Sequence, residues 1–272
     1  MRPTLLLAAA ILIPACSGKP AASNQLEPSS NAALPPPAKA EAPAPKAVAL
    51  DDESALLDWH LSYPAEVAAL PALADLIRGP ALKNKAELSQ QAAADKAERD
   101  KRGFEFHGYE ASTDAEVAGA TPRLLSVALN VGDYTGGAHP NHGTKAMLWD
   151  KALDRLVTVD NLFAGGAPAL RKQLLDPYCA ALDKARKEKR GPEEAQLGEG
   201  ADDPFNACPK FDDLALIPSG KPGQLFTAML VHADPYVAGP YAEGDYDIEL
   251  PVTAALIAAL KPEYRASFAA RP

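Results

Sequence analysis

The chain has 272 residues, and its 47% hydrophobic content is enough for the core of one large domain or of two modest ones. The 36 acidic residues outnumber the 27 Lys and Arg residues, and the formal net charge of −9 argues against nonspecific binding to nucleic acid or to an anionic membrane surface. A basic partner is favoured instead. The 26 prolines are nearly double the number that average usage predicts, so part of the chain should be extended rather than packed.

The amino terminus is predicted to direct export. An apolar run over residues 5–13 follows Arg2 and is too short to span a bilayer, which is typical of a signal peptide. The run ends in Ile-Pro-Ala-Cys at residues 13–16, which resembles the lipobox of bacterial lipoproteins. This resemblance implies a signal peptide of residues 1–15 and a lipid on Cys16 that holds the protein to a membrane. The alternative is an ordinary secretory signal with an incidental cysteine.

Residues 16–50 are expected to form a tether between Cys16 and the folded part. The segment is dominated by Ala, Pro, Ser and Lys and shows neither helical nor strand periodicity. In polyproline II geometry, at about 3.1 Å per residue, it would reach up to roughly 100 Å. Ser17 rather than Asp follows the cysteine, which favours the outer membrane in a bacterium with two membranes. We therefore predict a periplasmic protein that is lipid-anchored at the outer membrane.

The first part of the folded region, residues 51–160, is predicted to form an amino-terminal α+β lobe. Its strands are indicated by alternating apolar and polar residues, or by β-branched apolar runs, between turn residues. The predicted strands are residues 57–63, 104–110, 124–131, 146–150 and 155–159, the last two as a hairpin.

Two helical stretches are predicted in this lobe. One begins near residue 65, after Pro64 ends the first strand. The other, residues 81–102, is rich in Ala, Lys, Glu and Gln, with Leu82 and Leu88 as its apolar anchors. This composition predicts an exposed helix.

The second part, residues 161–272, is predicted to form a carboxy-terminal α+β lobe. A helix over residues 168–189 has proline in its first turn, apolar residues at helical spacing and a basic end. The acidic, glycine-rich segment 191–204 is expected to be mobile. Strands over residues 224–232 and 246–250 and a helix over residues 253–260 complete the lobe. Strand pairs with helices between them predict an α+β fold with antiparallel sheets and packed helices, arranged as two small lobes in one compact unit.

Two cysteines remain if Cys16 carries lipid. Cys179 lies on the predicted long helix and Cys208 follows the acidic segment, and in an oxidising compartment they should form a disulfide. A reactive or metal-bound pair is the alternative. No Cys-x-x-Cys spacing is present and no histidine is adjacent to either residue, which favours the disulfide.

Residues 132–143 form the densest polar segment of the chain. Its two histidines, His139 and His142, are three residues apart, and with Asp133 they are weak candidates for a zinc site. The favoured interpretation is a tight glycine-rich loop whose polar side chains satisfy exposed backbone amides. Pro140 breaks any helical alignment of the two rings, and no third ligand is evident in sequence. The sequence therefore predicts no metal and no cofactor.

No catalytic residue is predicted either. The chain has no Gly-x-Ser-x-Gly elbow, no Ser-x-x-Lys motif and no phosphate-binding loop. The acidic residues of the segment 243–249 alternate with Tyr246 and Ile248, which is the pattern of a strand with one solvated face. A pair of glycosidase carboxylates would give the same pattern.

Three motifs together resemble a known family. They are Tyr-Thr-Gly-Gly-Ala-His-Pro at residues 134–140, Asp-Asn-Leu-Phe at residues 160–163, and Pro-Tyr-Ala-Glu-Gly at residues 240–244 before a strand that ends in Leu-Pro. In this order they resemble the extracytoplasmic domain of RsiV-type anti-sigma factors, and the same domains precede the catalytic domain of some peptidoglycan deacetylases. The likeness spans about residues 55–268.

This resemblance implies an α+β fold of two sheet-and-helix lobes and, in the RsiV branch, binding of C-type lysozyme. The chain has neither the sigma-binding segment and transmembrane helix of that branch nor a deacetylase domain, so neither signalling nor catalysis is expected to carry over. A recognition module carries over, with Tyr134, His139, Pro240 and Tyr241 as candidate contacts with the partner. Alternatively, these residues only set the geometry of their loops.

We therefore predict a membrane-anchored lipoprotein that binds a cell-envelope partner, either lysozyme or another wall hydrolase, or a peptidoglycan-related ligand. Nucleic acid is not an expected partner. One alternative is a metal-dependent peptidoglycan hydrolase or deacetylase that uses His139, His142 and Asp133. A structural envelope lipoprotein is the other.

Overall fold

The computed structural model describes residues 44–194 and 205–271, except for the side chains of residues 192–194. The predicted signal peptide, Cys16, the tether up to residue 43 and most of the acidic segment 191–204 lie outside the described residues. Within the described ranges, no helix combines the length and the apolar character that a bilayer crossing requires.

A six-stranded sheet comes first in the chain. Its strands are β1 (Val48–Glu53), β2 (Leu57–Tyr63), β3 (Tyr109–Ala120), β4 (Leu124–Tyr134), β5 (Asn141–Asp150) and β6 (Arg155–Val157). Their order across the sheet is their order in the chain, and every neighbouring pair is antiparallel except β2 and β3. The last three residues of the predicted tether lie in β1, and the predicted hairpin is formed by β5 and β6.

Two helices connect β2 to β3, because a parallel pair of strands needs a crossover. They are α1 (Ala65–Ala68) and α2 (Pro71–Arg102), so the second begins well before its predicted start at residue 81. Proline suits the first position of α2, where the backbone N–H would have no helical partner. Gly103 ends the helix with a φ of 73°, in the left-handed region that favours glycine.

One face of α2 packs on the six-stranded sheet and builds the first core. Ile77, Ala81 and Leu88 are buried there against β2 residues such as Trp59. Leu88 is therefore the apolar anchor that was predicted, whereas Leu82 is 39% exposed. The prediction for Leu82 was wrong because a helix turns about 100° per residue, which carries Leu82 away from the face that contains Ala81.

The predicted strand 104–110 is mostly wrong. Residues 104–108 form no strand, Phe104 is 63% exposed, and Gly108 has a φ of 81°, which an extended strand does not allow. The strand is β3, which starts at Tyr109 and continues to residue 120. Its Ala, Asp, Glu and Gly residues have little strand propensity, and pairing with both β2 and β4 holds them in the sheet.

The rest of the chain consists of a long helix, a three-stranded antiparallel sheet and two short helices. The elements are α3 (Gly166–Glu194), β7 (Ala215–Ser219), β8 (Ala228–Ala233), β9 (Tyr246–Pro251), α4 (Ala254–Ala259) and α5 (Pro262–Arg265). The backbone of α3 is not helical at Gly191. The predicted strand 224–232 starts only at Ala228, because residues 224–227 follow a turn at Gly223 with a φ of 73°.

The second core lies between α3 and the three-stranded sheet. Leu170, Leu174, Tyr178 and Leu182 of α3 are no more than 4% exposed, as their helical spacing predicted. Leu124 and Leu148 of the six-stranded sheet also belong to this core, so the two sheets are packed in one unit. The α+β fold class with predominantly antiparallel sheets is therefore confirmed, and Pro43–Pro272 form one compact unit.

Cys179 and Cys208 are joined by a disulfide in the structure, with Cα atoms 5.5 Å apart. The bond ties α3 to the segment that leads into β7. We expect that Ellman's reagent finds no free thiol in the oxidised unit of residues 43–272 until it is denatured and reduced, after which two thiols should titrate. Two thiols without reduction would overturn the pairing.

Candidate functional site

Two loops from the two sheets meet at one end of the molecule. The hairpin loop, residues 135–140, connects β4 to β5, and the long loop, residues 234–245, connects β8 to β9. Gly136 and Gly137 in the hairpin loop have φ values of 94° and 119°, which residues with a side chain rarely adopt. The predicted motif segments 134–140 and 240–244 are therefore adjacent in the fold.

Three rings from these loops form an aromatic cluster of His139, Tyr236 and Tyr241. The rings of His139 and Tyr241 are stacked with centroids 3.6 Å apart, and the hydroxyl of Tyr236 lies 3.4 Å from Nε2 of His139. The Tyr241 hydroxyl donates a hydrogen bond of 3.0 Å to the carbonyl of Pro140. Tyr236 is 58% exposed, so the cluster presents aromatic surface to solvent.

A second group of side chains, which we call the His–Asp cluster, lies beside the aromatic one. It consists of His142, His232, Asp234, Asp245 and Asp247. Nε2 of His142 is 3.0 Å from Asp245, Nε2 of His232 is 2.9 Å from Asp234, and Nδ1 of His232 is 2.7 Å from Asp247. The centroid of the His142 ring is 6.1 Å from that of Tyr241, so the two clusters are continuous.

Strand register explains how the His–Asp cluster forms. His232 and Asp247 are directly opposite each other on β8 and β9, while Asp234 follows β8 and Asp245 precedes β9. The backbone N–H of Thr144 in β5 donates a hydrogen bond of 2.8 Å to Asp234. A Cβ at Gly143 would lie 3.1 Å from an Asp234 oxygen, so glycine allows this close approach.

The imidazole of His232 is almost fully enclosed, with 8% of its side chain exposed. Burial alone would lower its pKa, but hydrogen bonds and the negative charges of Asp247 and Asp234 outweigh burial and raise the pKa above 6.5. The hydrogen bond with His232 in turn lowers the pKa of Asp247. Asp247 and Asp234 therefore stabilise the positively charged form of His232.

Basic residues near the carboxy-terminal end of α3 donate hydrogen bonds to the backbone of the long loop. Arg186 is 3% exposed and donates hydrogen bonds of 2.9 to 3.1 Å to the backbone carbonyls of Ala238, Asn206 and Ala207. One turn further along α3, the ammonium group of Lys189 donates a hydrogen bond of 2.7 Å to the backbone carbonyl of Glu243.

Glu243 is the side chain through which the long loop is fixed. Arg190 donates two hydrogen bonds to its carboxylate, at 2.8 and 3.2 Å, and the hydroxyl of Tyr246 donates a third. Burial would raise the pKa of Glu243, but the hydrogen bonds from Arg190 and Tyr246 outweigh it and lower the pKa. Burial and the neighbouring Glu243 raise the pKa of Tyr246 to about 12.

The structure places three of the four predicted partner contacts on this surface. His139 and Tyr241 belong to the aromatic cluster, and Pro240 precedes the short 3-10 turn Tyr241–Glu243 that carries Tyr241. The Tyr134 hydroxyl donates a hydrogen bond to the carbonyl of Gly137 and so closes the hairpin loop on itself. Tyr134 therefore has a role in loop geometry.

The predicted metal candidates are not brought together. In the described part of the chain, neither His139 nor His142 has a hydrogen bond with Asp133, since His139 is bonded to Pro140 and His142 to Asp245. Asp133 is paired with Asn141, so His142, one residue further along β5, projects from the opposite face of the sheet.

The side chains whose positions would allow them to bind one metal ion are not the predicted Asp133, His139 and His142. Among the described residues, a ring nitrogen of His232 and one carboxylate oxygen each of Asp234 and Asp245 lie within 4.8 Å of one another. Sequence reasoning missed His232, Asp234 and Tyr236. The available signal was His-Ala-Asp at the end of a strand, where residues two apart share one face.

Comparison with known proteins shows that part of the chain matches the model of a protein family. Residues 50–142 match the family model described as Deacetylase PdaC, a match that includes β2 to β4 and the hairpin loop. This confirms the predicted relation to deacetylase-associated domains for this segment, and the likeness to RsiV-type factors stays a prediction. No curated protein matches the chain.

Two solved structures of DUF3298 family proteins are similar to the chain. One, from Pseudomonas aeruginosa PAO1, is 18% identical with a TM-score of 0.49, and the match covers 84% of this chain and 98% of that one. The other, from Bacteroides fragilis NCTC 9343, is 16% identical with a TM-score of 0.50 and covers 82% and 95%. The likeness to the Bacteroides protein shows a shared fold.

Proposed function

We propose that this protein is an exported, lipid-anchored binding module that recognises a cell-envelope partner through the aromatic cluster. The observation that carries the proposal is the convergence of the hairpin loop and the long loop, since His139 and Tyr236 are 97 residues apart in sequence and adjacent in space. Solvent-exposed tyrosines are frequent anchors of protein interfaces. The long loop that carries Tyr236 and Tyr241 is held by α3, so this part of the surface is formed before a partner arrives.

The chemistry around the aromatic cluster favours a basic partner. Asp245 and Asp247 lie beside it with 34% and 61% of their side chains exposed, and the whole chain carries a formal net charge of −9. Opposite charges accelerate encounter and favour correct orientation. Lysozymes are typically basic, so a C-type lysozyme is the partner we propose, as the resemblance to RsiV-type domains also suggests.

The resemblance of residues 13–16 to a lipobox supports the location that we propose for this module. A lipid on Cys16 and the proline-rich tether would hold the folded unit in the periplasm at the outer membrane, where wall hydrolases act. The enzyme alternative has less support, because its three residues Asp133, His139 and His142 are not gathered at one point.

The test is calorimetric titration of residues 43–272 with a C-type lysozyme at about 0.15 M salt and again at about 0.6 M, since nonspecific attraction between opposite charges is screened at high salt. We expect saturable one-to-one binding at both salt concentrations. Tyr236→Ala should weaken it by about 30-fold, as for an interface anchor.

Leu153→Ala is the matched control. Leu153 is 46% exposed and lies in the turn between β5 and β6, at the opposite end of β5 from the hairpin loop, so its loss should leave binding unchanged. Heat that vanishes at high salt would contradict the lysozyme proposal and direct the search to peptidoglycan fragments. Equal affinity of Tyr236→Ala and the unmodified protein would contradict the choice of surface.

A further inference from the structure

We propose that His232, Asp234 and Asp245 bind a zinc ion at the seam between the two sheets. The site is independent of any protein partner and goes beyond the binding function proposed above. A ring nitrogen of His232 and an oxygen of each carboxylate lie within 4.8 Å of one another. Zinc lies about 2.0–2.2 Å from such ligands, so neighbouring ligand atoms of a tetrahedral site are about 3.4 Å apart, which small side-chain rotations would achieve here.

The orientation of His232 suits a metal ligand. Its Nδ1 is 2.7 Å from Asp247, and its Nε2 faces Asp234 at 2.9 Å. A carboxylate on one ring nitrogen of a ligand histidine is the usual way in which proteins fix its tautomer and direct the other nitrogen at the metal. The ring is buried and cannot turn freely, so Nε2 remains directed at the carboxylates.

The carboxylates are also held in place. Asp234 accepts a hydrogen bond from the backbone N–H of Thr144, and Gly143 leaves room for it. Asp245 lies 3.0 Å from Nε2 of His142, and its backbone carbonyl accepts a hydrogen bond from Lys189. Both ends of the long loop therefore supply a ligand whose position is set by β5 or by α3.

The donor set favours zinc over magnesium or calcium. Those two ions prefer oxygen ligands alone, whereas imidazole together with carboxylates suits zinc. Three protein ligands would leave one position of a tetrahedral ion open. Bound zinc would join the two ends of the long loop and so stabilise the surface that carries Tyr236 and Tyr241.

His60 on β2 provides a control for the proposed zinc site, because this histidine also contacts two carboxylates. Asp51 is 2.6 Å from its Nδ1 and Asp114 is 3.1 Å from its Nε2. The two carboxylates of His60 are therefore on opposite ring nitrogens, so they cannot share one ion with the ring. His60→Gln removes a histidine between two aspartates without touching the proposed site.

The experiment uses the full chain in mild detergent, freed of metal by chelation and then dialysed against a zinc buffer of about 1 µM free ion. We expect one zinc per chain by elemental analysis and an increase in Tm of about 5–10 °C when free zinc exceeds Kd about a hundredfold. Calcium at millimolar concentration should not displace the zinc.

Asp245→Asn and Asp234→Asn keep the shape of the side chain and should each weaken zinc binding by at least about tenfold. His60→Gln should bind zinc like the unmodified chain. The Tm of each variant without zinc shows whether it is folded, so loss of the fold is distinguished from loss of the site. Failure of the unmodified chain to retain zinc, or zinc affinity in both Asp→Asn variants equal to that of the unmodified chain, would overturn the proposal.

Discussion

Replacement of Asp150 by alanine should lower the free energy of unfolding by about 3 kcal/mol. The Asp150 side chain is completely buried at the end of β5. Nε and Nη2 of Arg123 donate hydrogen bonds to it at 3.1 and 2.9 Å, and the backbone N–H groups of Ala152 and Leu153 donate two more. Alanine would remove the carboxylate that accepts from Nε and Nη2 of a half-buried guanidinium and from the backbone N–H of Ala152.

Urea unfolding followed by circular dichroism measures this loss. Asp150→Asn should be intermediate, because the amide keeps one acceptor oxygen and loses the negative charge. Asp58→Ala is the control, since Asp58 is an exposed aspartate on β2 and its replacement should change stability by less than about 0.5 kcal/mol. A loss below about 1 kcal/mol for Asp150→Ala would contradict the assigned role.

The contribution of Asp150 should depend on pH in a defined direction. Burial would raise its pKa, but hydrogen bonds from Arg123 and from the backbone outweigh burial and lower the pKa below 3.8. A lowered pKa in the folded state contributes stability above the unfolded pKa, and this stability is lost as the pH falls through the folded pKa. The difference between the unmodified protein and Asp150→Asn should therefore be full at pH 7 and decrease as the pH falls below 3.8.

The elements predicted from sequence are those whose hydrophobic pattern matches their final packing. In α3, four apolar residues at helical spacing are all buried, and in β9 the alternation around Tyr246 and Ile248 is the alternation of buried and exposed residues. In β3 the pattern is weak, because this strand is defined by its two neighbours. Local sequence carries little information about such pairing.

The residues of the candidate site that could be predicted from sequence are those in the motif segments 134–140 and 240–244. His139 and Tyr241 were predicted as contacts from the resemblance, and they stack on each other. Asp247 was interpreted as one of the carboxylates of a solvated strand face, and it is exposed but also hydrogen-bonded to His232. That contact depends on the register between β8 and β9, which the sequence alone does not determine.

Replacement of Arg186 by methionine should be as harmful as the loss of Asp150, at about 3–5 kcal/mol, and should also abolish partner binding. The guanidinium is 3% exposed and bonds three backbone carbonyls from two segments of the chain. Methionine fills a similar volume but donates no hydrogen bond, so the carbonyl of Ala238 in the long loop loses its partner. The loop that carries Tyr236 and Tyr241 should then become mobile.

Lys187→Met is the matched control for Arg186→Met, because Lys187 is the next residue of α3, has the same charge and is exposed. Urea unfolding should show a large loss for Arg186→Met and little change for Lys187→Met. Hydrogen exchange should show faster exchange in residues 234–245 of Arg186→Met under conditions where the protein is still folded. Unchanged exchange in this loop would mean that Arg186 stabilises the fold without positioning the binding surface.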